Sequence, residues 1–249
     1  SILMGEGEDG IISSESFSRT IRKARKDTSI KAIVLRVNSG GGSALASEVI
    51  WREVKLAQQE KPVIASFGNM AASGGYFIAT PADTIVASPN TLTGSIGVYG
   101  AIPNAKELFN DKLGIHMDVV KTHSHSDLGN ILRPLTTREK EAFRKVVEDI
   151  YDSFVQKVAQ GRDMTREEVD EIGRGRIWSG VDARRVGLID MYGGLEKAID
   201  LAAEKAGLEK YRTVDLPERK DPFQQLMESI SGDIKTKILK STLGNEARY

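Results

Sequence analysis

Ser66-Phe67-Gly68-Asn69-Met70-Ala71-Ala72-Ser73-Gly74-Gly75-Tyr76 is the stretch on which the reading of the fold turns. An apolar run, Val63 to Phe67, ends in glycine, and small residues then lead to one serine followed by two glycines. A strand that turns sharply into a helix needs small residues at the corner, and the side chain at the apex is pushed out to where a substrate can reach it. The nucleophile elbow of hydrolytic enzymes works this way, although this stretch departs from the G-x-S-x-G form. Ser73 is therefore a candidate nucleophile. The competing reading is a helix start where Ala, Ser and Gly only permit close packing.

Working outward, Ile30 to Val37 is β-branched and mostly apolar, as a buried parallel strand is. Asn38-Ser39-Gly40-Gly41-Gly42-Ser43 follows, and then a helix whose inner face is expected at Leu45, Val49, Ile50, Val54 and Ala57. Pro62 to Phe67 is the next strand, and the Ser73 corner follows it. Such βαβ units join parallel strands through right-handed crossovers, with sites at the carboxyl ends of the strands. Both glycine turns then fall at one end of the sheet.

The flanks supply the other elements. Residues 6–16 read as a loop, and Phe17, Ile21 and Ala24 mark one face of a short helix ending near Lys26. Gly5-Glu6-Gly7 lacks the spacing of a phosphate loop. Downstream, 84–87 and 93–98 are expected as strands, 104–111 as a helix, 116–121 as a strand, and His123 to Pro134 as a polar loop. Thr136-Thr137-Arg138-Glu139 is a capping box that opens the longest helix, with Phe143, Val146, Val147, Ile150, Phe154 and Val158 on one side. Thr165-Arg166-Glu167-Glu168 caps another helix. Short strands are expected at 177–180 and 186–190, a helix at 194–206 and an edge strand at 211–215. From Pro222, Phe223, Leu226, Met227, Ile230, Ile234 and Ile238 recur at helical spacing.

Composition narrows the class. The chain has 249 residues, enough for one large α/β domain or two smaller ones. Lys plus Arg and Asp plus Glu are 35 each, so net charge offers nothing to nucleic acid or an anionic surface. Cysteine is absent, which excludes a disulfide framework, a thiol nucleophile and a thiolate metal site. No apolar run approaches the ~18 residues of a membrane span. The start reads as that of a fragment of something longer, without an anchor.

If Ser73 attacks an acyl carbon, the reaction needs N–H donors aimed where the oxyanion develops, each contributing roughly 10²–10³ in rate. Gly41 and Gly74 are the natural pair, because glycine lets the backbone approach a ligand closely. The hydroxyl also needs a base. His123 and His125, with Asp127 beyond them, make a Ser-His-Asp triad conceivable, and His-x-His could hold a metal, although no acidic cluster completes a site. His116 reads as a packed or exposed strand residue. A lysine can act as base once burial disfavours its charged form, and Lys121 is the in-chain lysine suitably placed.

Val37-Asn38-Ser39-Gly40-Gly41-Gly42-Ser43, Asn69 to Tyr76, and Leu92-Thr93-Gly94-Ser95-Ile96-Gly97-Val98 strongly resemble the signal peptide peptidase A family, from about residue 12 to about 215. That family is similar in fold to the Clp protease and crotonase proteins. The resemblance implies an α/β fold with a repeated ββα core, a parallel sheet and helices outside. It implies a serine–lysine protease with Ser73 as nucleophile, the N–H groups of Gly41 and Gly74 as oxyanion hole, and the Ser95 hydroxyl holding the lysine amine. Gly40, Gly42 and Gly75 would line the substrate, and no cofactor or metal is implied. Gly40 departs from the proline common in the family at this point. Short members carry the base lysine just after a histidine in the loop matching His123 to Pro134. Here Ser126 follows His125, and no lysine occurs between Lys121 and Lys140.

Long members are tandem duplications in which the first half supplies the lysine and the second the serine. This chain resembles a second half. The expected division is a peptidase domain at 1–215 and an amphipathic helical extension at 216–249 that makes a subunit or domain contact. The expected partners are short apolar peptides such as cleaved signal peptides, the N-terminal half of the same protein, and further copies in a homo-oligomer, with no nucleic acid. The expected location is the bacterial cell envelope, on the extracytoplasmic side of a membrane reached through a segment outside this chain. Two alternatives stay open: a crotonase-like acyl-CoA enzyme, which would bind coenzyme A and tolerate Ser73→Ala, and an inactive scaffold half.

Overall fold

Alternation along one strand arranges the structure. In the strand β4, Val63–Ala72, the side chains of Val63, Ala65 and Phe67 enter one hydrophobic core while Ile64 between them enters another. A strand buried on both faces is mostly apolar, as this one is from Val63 to Phe67 apart from Ser66. The computed structural model describes residues 1–7 and 10–217. Within them, β1 (Ile2–Leu3) and β2 (Ile12–Ser13) form a small parallel pair ahead of helix α1, Ser14–Lys26.

The main sheet follows. Strand β3 (Ile33–Ser39) leads through helix α2 (Ala44–Gln58) into β4, and helix α3 (Gly74–Ala79) leads to β5 (Thr84–Ala87) and β6 (Leu92–Gly94). Strands β3, β5 and β6 all pair with β4 in parallel. After a π-helical turn at Leu108–Lys112 come α4 (Thr137–Arg162), α5 (Arg166–Ile172), β7 (Ile177–Ser179), α6 (Gly180–Arg185), β8 (Met191–Tyr192) and α7 (Leu195–Lys205). Strand β8 joins β5 in parallel, and β7 is antiparallel to β6. The larger core packs Ile50 and Val54 of α2, Tyr76 to Ala79 of α3 and Phe154 to Ala159 of α4 against the sheet, while Ala198 and Ala202 of α7 meet Ile64 and Val86 on the opposite face. This parallel sheet with helices outside is the α/β architecture expected.

Several local expectations change. Residues 116–121 form no strand: their apolar residues alternate but find no partner strand, and Met117, Val119 and Val120 are exposed. Residues 186–190 are turns and bends, with Leu188 and Ile189 fully buried all the same, and the strand falls at Met191–Tyr192. Leu45 is exposed, and Ala46 and Ser47 take its place on the inner face of α2. Both capping boxes form, at Thr136 with Glu139 and at Thr165 with Glu168. The buried apolar residues of α4 all lie in its second half, and Phe143 and Val146 are exposed. No helix of the described residues is long and apolar enough to cross a membrane.

The chain divides into two units, Ser1–Glu209 and Lys210–Tyr249. The described part of the second, 210–217, contains no strand, so the edge strand expected at 211–215 is not present. The amphipathic extension expected from Pro222 lies outside the described residues.

Phe154 is 3% exposed, and its ring meets that of Phe77 edge-on at 4.9 Å between centroids. Removing a buried aromatic side chain costs about 3–5 kcal/mol. Phe154→Ala should therefore lower the guanidinium unfolding midpoint by that equivalent, and a loss below about 1 kcal/mol would contradict this account of the core.

Candidate functional site

Three strand ends meet at one rim of the sheet. Ser39 at the end of β3 lies opposite Ala71 of β4, and Gly94 at the end of β6 lies opposite Ala72. The next residues along are the Gly40-Gly41-Gly42 turn, Ser73 and Ser95. They are gathered by register and not by sequence proximity.

The corner at Ser73 is sharp. Its backbone sits at φ 51°, ψ −124°, a region L-residues rarely occupy, and Ser95 sits at φ 49°. Such strain costs on the order of 1–3 kcal/mol per residue, persists only where the surroundings enforce it, and collects at functional sites. The surroundings here are hydrogen bonds: Ser73 N–H donates to Gly94 O at 2.9 Å, Phe77 N–H donates to Ser73 O at 2.9 Å, and Ser95 N–H donates to Arg176 O at 2.7 Å. The Ser73 side chain is half-buried, and its hydroxyl does not cap α3.

The glycines then explain how closely the corners approach. A Cβ on Gly41, itself at φ 98°, would lie 2.6 Å from Gly74 N and 2.9 Å from Ser73 Cβ. A Cβ on Gly74 would strike Ser47 Oγ at 2.5 Å, and one on Gly75 would strike Ser39 O at 2.4 Å. Glycine at 74 and 75 thus lets α3 settle directly onto α2 and the end of β3. Gly74 opens α3, so its N–H has no acceptor one turn back within the helix. The Gly41 N–H, in contrast, donates to Ser39 Oγ at 3.1 Å.

Sequence reasoning missed the device that aims β4. Between Val37 and Ser39 the register jumps from Phe67 to Ala71, so that β4 bulges at Gly68-Asn69-Met70 and continues to Ala72, where the sequence suggested a strand ending at Phe67. Asn38 Oδ1 accepts from Met70 N–H at 3.2 Å, and Thr91 Oγ1 donates to Gly68 O at 2.8 Å. Bulges re-aim a strand beside active sites, and Gly68 was the signal in the sequence, since a Cβ there would lie 2.7 Å from Asn38 Oδ1.

The candidate bases lie elsewhere in bonding terms. Lys121 Nζ is paired with Asp127 Oδ2 at 2.8 Å, and His125 Nδ1 with Glu139 Oε1 at 3.1 Å. Arg133 clamps both carboxylates, reaching Asp127 Oδ2 at 2.7 Å and Glu139 Oε2 at 2.8 Å. Asp127 is held by Arg133 and Lys121, with no histidine on it, and no Ser-His-Asp relay is assembled among the described residues. His116 and His123 are exposed. A cavity of about 220 Å³ lined by Trp51, Thr80 and Lys157, and one of about 400 Å³ lined by Tyr151, Arg166 and Arg174, include none of Ser73, Gly41, Gly74 and Ser95.

A parallel sheet flanked by helices, with two glycine corners converging on a strained serine, defines an α/β domain of the Clp protease and crotonase type. The model of peptidase family S49 matches residues 55–209. Protease 4 of Salmonella typhi is 40% identical over 238 residues, covering 95% of this chain and 38% of its own length. The chloroplastic serine protease SPPA of Arabidopsis thaliana is 40% identical over 222 residues, 89% of this chain and 33% of its own length. The putative protease slr0021 of Synechocystis is 34% identical, covering 91% of this chain and 82% of its own length. The chain belongs to peptidase family S49, the signal peptide peptidase A serine proteases, and it spans 38% and 33% of the lengths of the two longer relatives.

Arg133 above all, with the Thr136 N–H also bonded to Glu139, holds the Asp127 and Glu139 carboxyls well below the usual carboxylate range. Carboxyls that titrate lower in the folded state stabilise it fully above their unfolded values of about 4, and that stabilisation is lost as pH falls through the depressed folded values. Amides of 123–136 should keep their hydrogen-exchange protection at pH ~5 and lose it progressively below pH ~4. Arg133→Met should strip that protection at neutral pH; unchanged protection would show that the clamp does not order the loop.

Proposed function

We propose that this chain is the serine-bearing part of a serine–lysine endopeptidase acting on short, apolar, extended peptides such as cleaved signal peptides. In this reading Ser73 Oγ attacks the scissile carbonyl, and the N–H groups of Gly41 and Gly74 stabilise the oxyanion. The Ser95 hydroxyl orients the amine of the base, while Gly40, Gly42 and Gly75 leave room for the substrate backbone. The observation that carries the reading is the approach of Gly41 to Ser73 and Gly74, close enough that no side chain fits between them. A tetrahedral oxyanion needs two donors beside the attacking hydroxyl, and the closeness of the two corners supports Gly41 and Gly74 in that role.

The base is the remaining part. A serine hydroxyl reacts slowly unless a neighbour accepts its proton. Lys121 and His125 are bound to Asp127 and Glu139, and the Ser73 hydroxyl does not cap α3. We therefore assign the base to a lysine in an N-terminal half of the same protein, brought beside Ser95 when the two halves meet. Further copies in a homo-oligomer and a place at the cell envelope belong to the same proposal.

Peptide hydrolysis by this chain alone, and by the chain supplied with the N-terminal half, tests it. Activity should require both parts, and in the complete protein Ser73→Ala should remove it by on the order of 10³-fold or more, together with labelling by fluorophosphonates. Robust Ser73-dependent hydrolysis by the chain alone would overturn the assignment of the base and bring Lys121 or His125 forward. In the complete protein Ser95→Ala should lower kcat by about 10-fold or more with KM little changed, because the group it orients acts on the proton in flight.

A further inference from the structure

The glycine turn holds a hydrogen bond that the proposed reaction would have to break. Gly41 N–H donates to Ser39 Oγ at 3.1 Å, and Ser39 is 5% exposed. A serine hydroxyl accepting from the N–H two residues on is a local turn that strand ends readily form. Each backbone amide has one hydrogen, so while it points at Ser39 it is not available to a substrate oxygen.

The two peptide groups that meet at Gly41 are held differently. Its carbonyl accepts from Ile2 N–H at 2.9 Å, and Ser43 N–H in turn donates to Ile2 O at 2.9 Å, so β1 clamps the Gly41–Gly42 side. On the Gly40–Gly41 side, the Gly41 N–H is held by Ser39. Gly40 is exposed, and only Met70 Sδ, at 3.1 Å, lies near the place of a Cβ there. Two successive glycines let that peptide rotate with little steric cost, while the clamp from Ile2 keeps the rest of the turn in place.

We infer that Ser39 is a positioning residue acting through Gly41: its hydroxyl holds the oxyanion donor in reserve in the resting state, and the substrate acyl oxygen displaces it. The inference rests on the reading of Gly41 as a donor in a serine peptidase. In the ground state Ser39 competes with the substrate for one amide. In the transition state the oxyanion, a charged and therefore stronger acceptor, wins it. Removing the competitor therefore acts on the transition state more than on substrate binding.

The test is steady-state peptide hydrolysis by the complete protein carrying Ser39→Ala or Ser39→Cys. Ser39→Ala should raise kcat and kcat/KM together by about 2–10-fold, the size of one ordinary hydrogen bond, with KM nearly unchanged. Ser39→Cys keeps the volume with a weaker acceptor and should fall between wild type and Ser39→Ala. It also serves as the reading if Ser39→Ala does not fold. A kcat that is unchanged or lower in the variants overturns the inference, since the serine would then be neutral or would hold the turn in its working shape. Fluorophosphonate labelling of Ser73 in the unsubstituted protein separates the two levels. Its absence removes the peptidase reading and this inference with it, whereas normal labelling with unchanged kcat removes the inference alone.

Discussion

The contact on which the rest depends is the one between Gly41 and the Ser73-Gly74 corner. The two turns belong to different strands, and a single methyl group on Gly41 would push into Gly74 N at 2.6 Å and Ser73 Cβ at 2.9 Å. That closeness is not available to two ordinary strand ends about 4.8 Å apart unless neither presents a side chain to the other. Glycine at 41, 74 and 75 removes the side chains, and the β4 bulge shifts the register so that Ser39 meets Ala71 and the turns come level. Glycine in these places costs conformational entropy on folding, so the chain gives up some stability for the approach.

The two strained serines follow from the same rim. Ser73 and Ser95 end adjacent parallel strands one residue beyond the matched pair Ala72 and Gly94, and both have positive φ. Each is braced by an amide hydrogen bond to a different segment, Gly94 O for the first and Arg176 O for the second. Ser95 is therefore fixed by the loop leading into β7, and Ser73 by the strand that leads into Ser95. A serine that capped its own backbone would relax into an ordinary turn. These two leave their side chains outside the bonding that holds their main chains.

Much of this was legible in the sequence, because it rests on residue types with only one local use. Glycine runs after apolar strands, the capping boxes at Thr136 and Thr165, and the inner residues Ile50, Val54 and Ala57 follow from sterics and period alone. The misses are all matters of partnership. Residues 116–121 alternate like a strand but have no neighbour to pair with, and β propensity expresses little without one. The bulge at Gly68-Asn69-Met70 exists only because Asn38 and Thr91 bond across to it, so no window along β4 contains its cause. Phe143 and Val146 keep the period of the buried half of α4, yet period marks a face and not what covers it.

Charge pairing bears on the question of the base more directly than spacing does. The stretch 121–139 carries one lysine, two arginines, two histidines and two carboxylates, a set from which a relay could be written on paper. In the structure Arg133 spans both carboxylates with two-pronged contacts, the strongest geometry open to them, and Lys121 and His125 take the remaining lone pairs. To serve Ser73, Lys121 would have to leave Asp127, which holds its Nζ at 2.8 Å. The loop thus pairs these charges internally, while the Ser73 hydroxyl is not spent on capping α3. In the proposed arrangement a base supplied by the N-terminal half would not meet that obstacle, because its amine would be desolvated by the same contact that brings it to the serine.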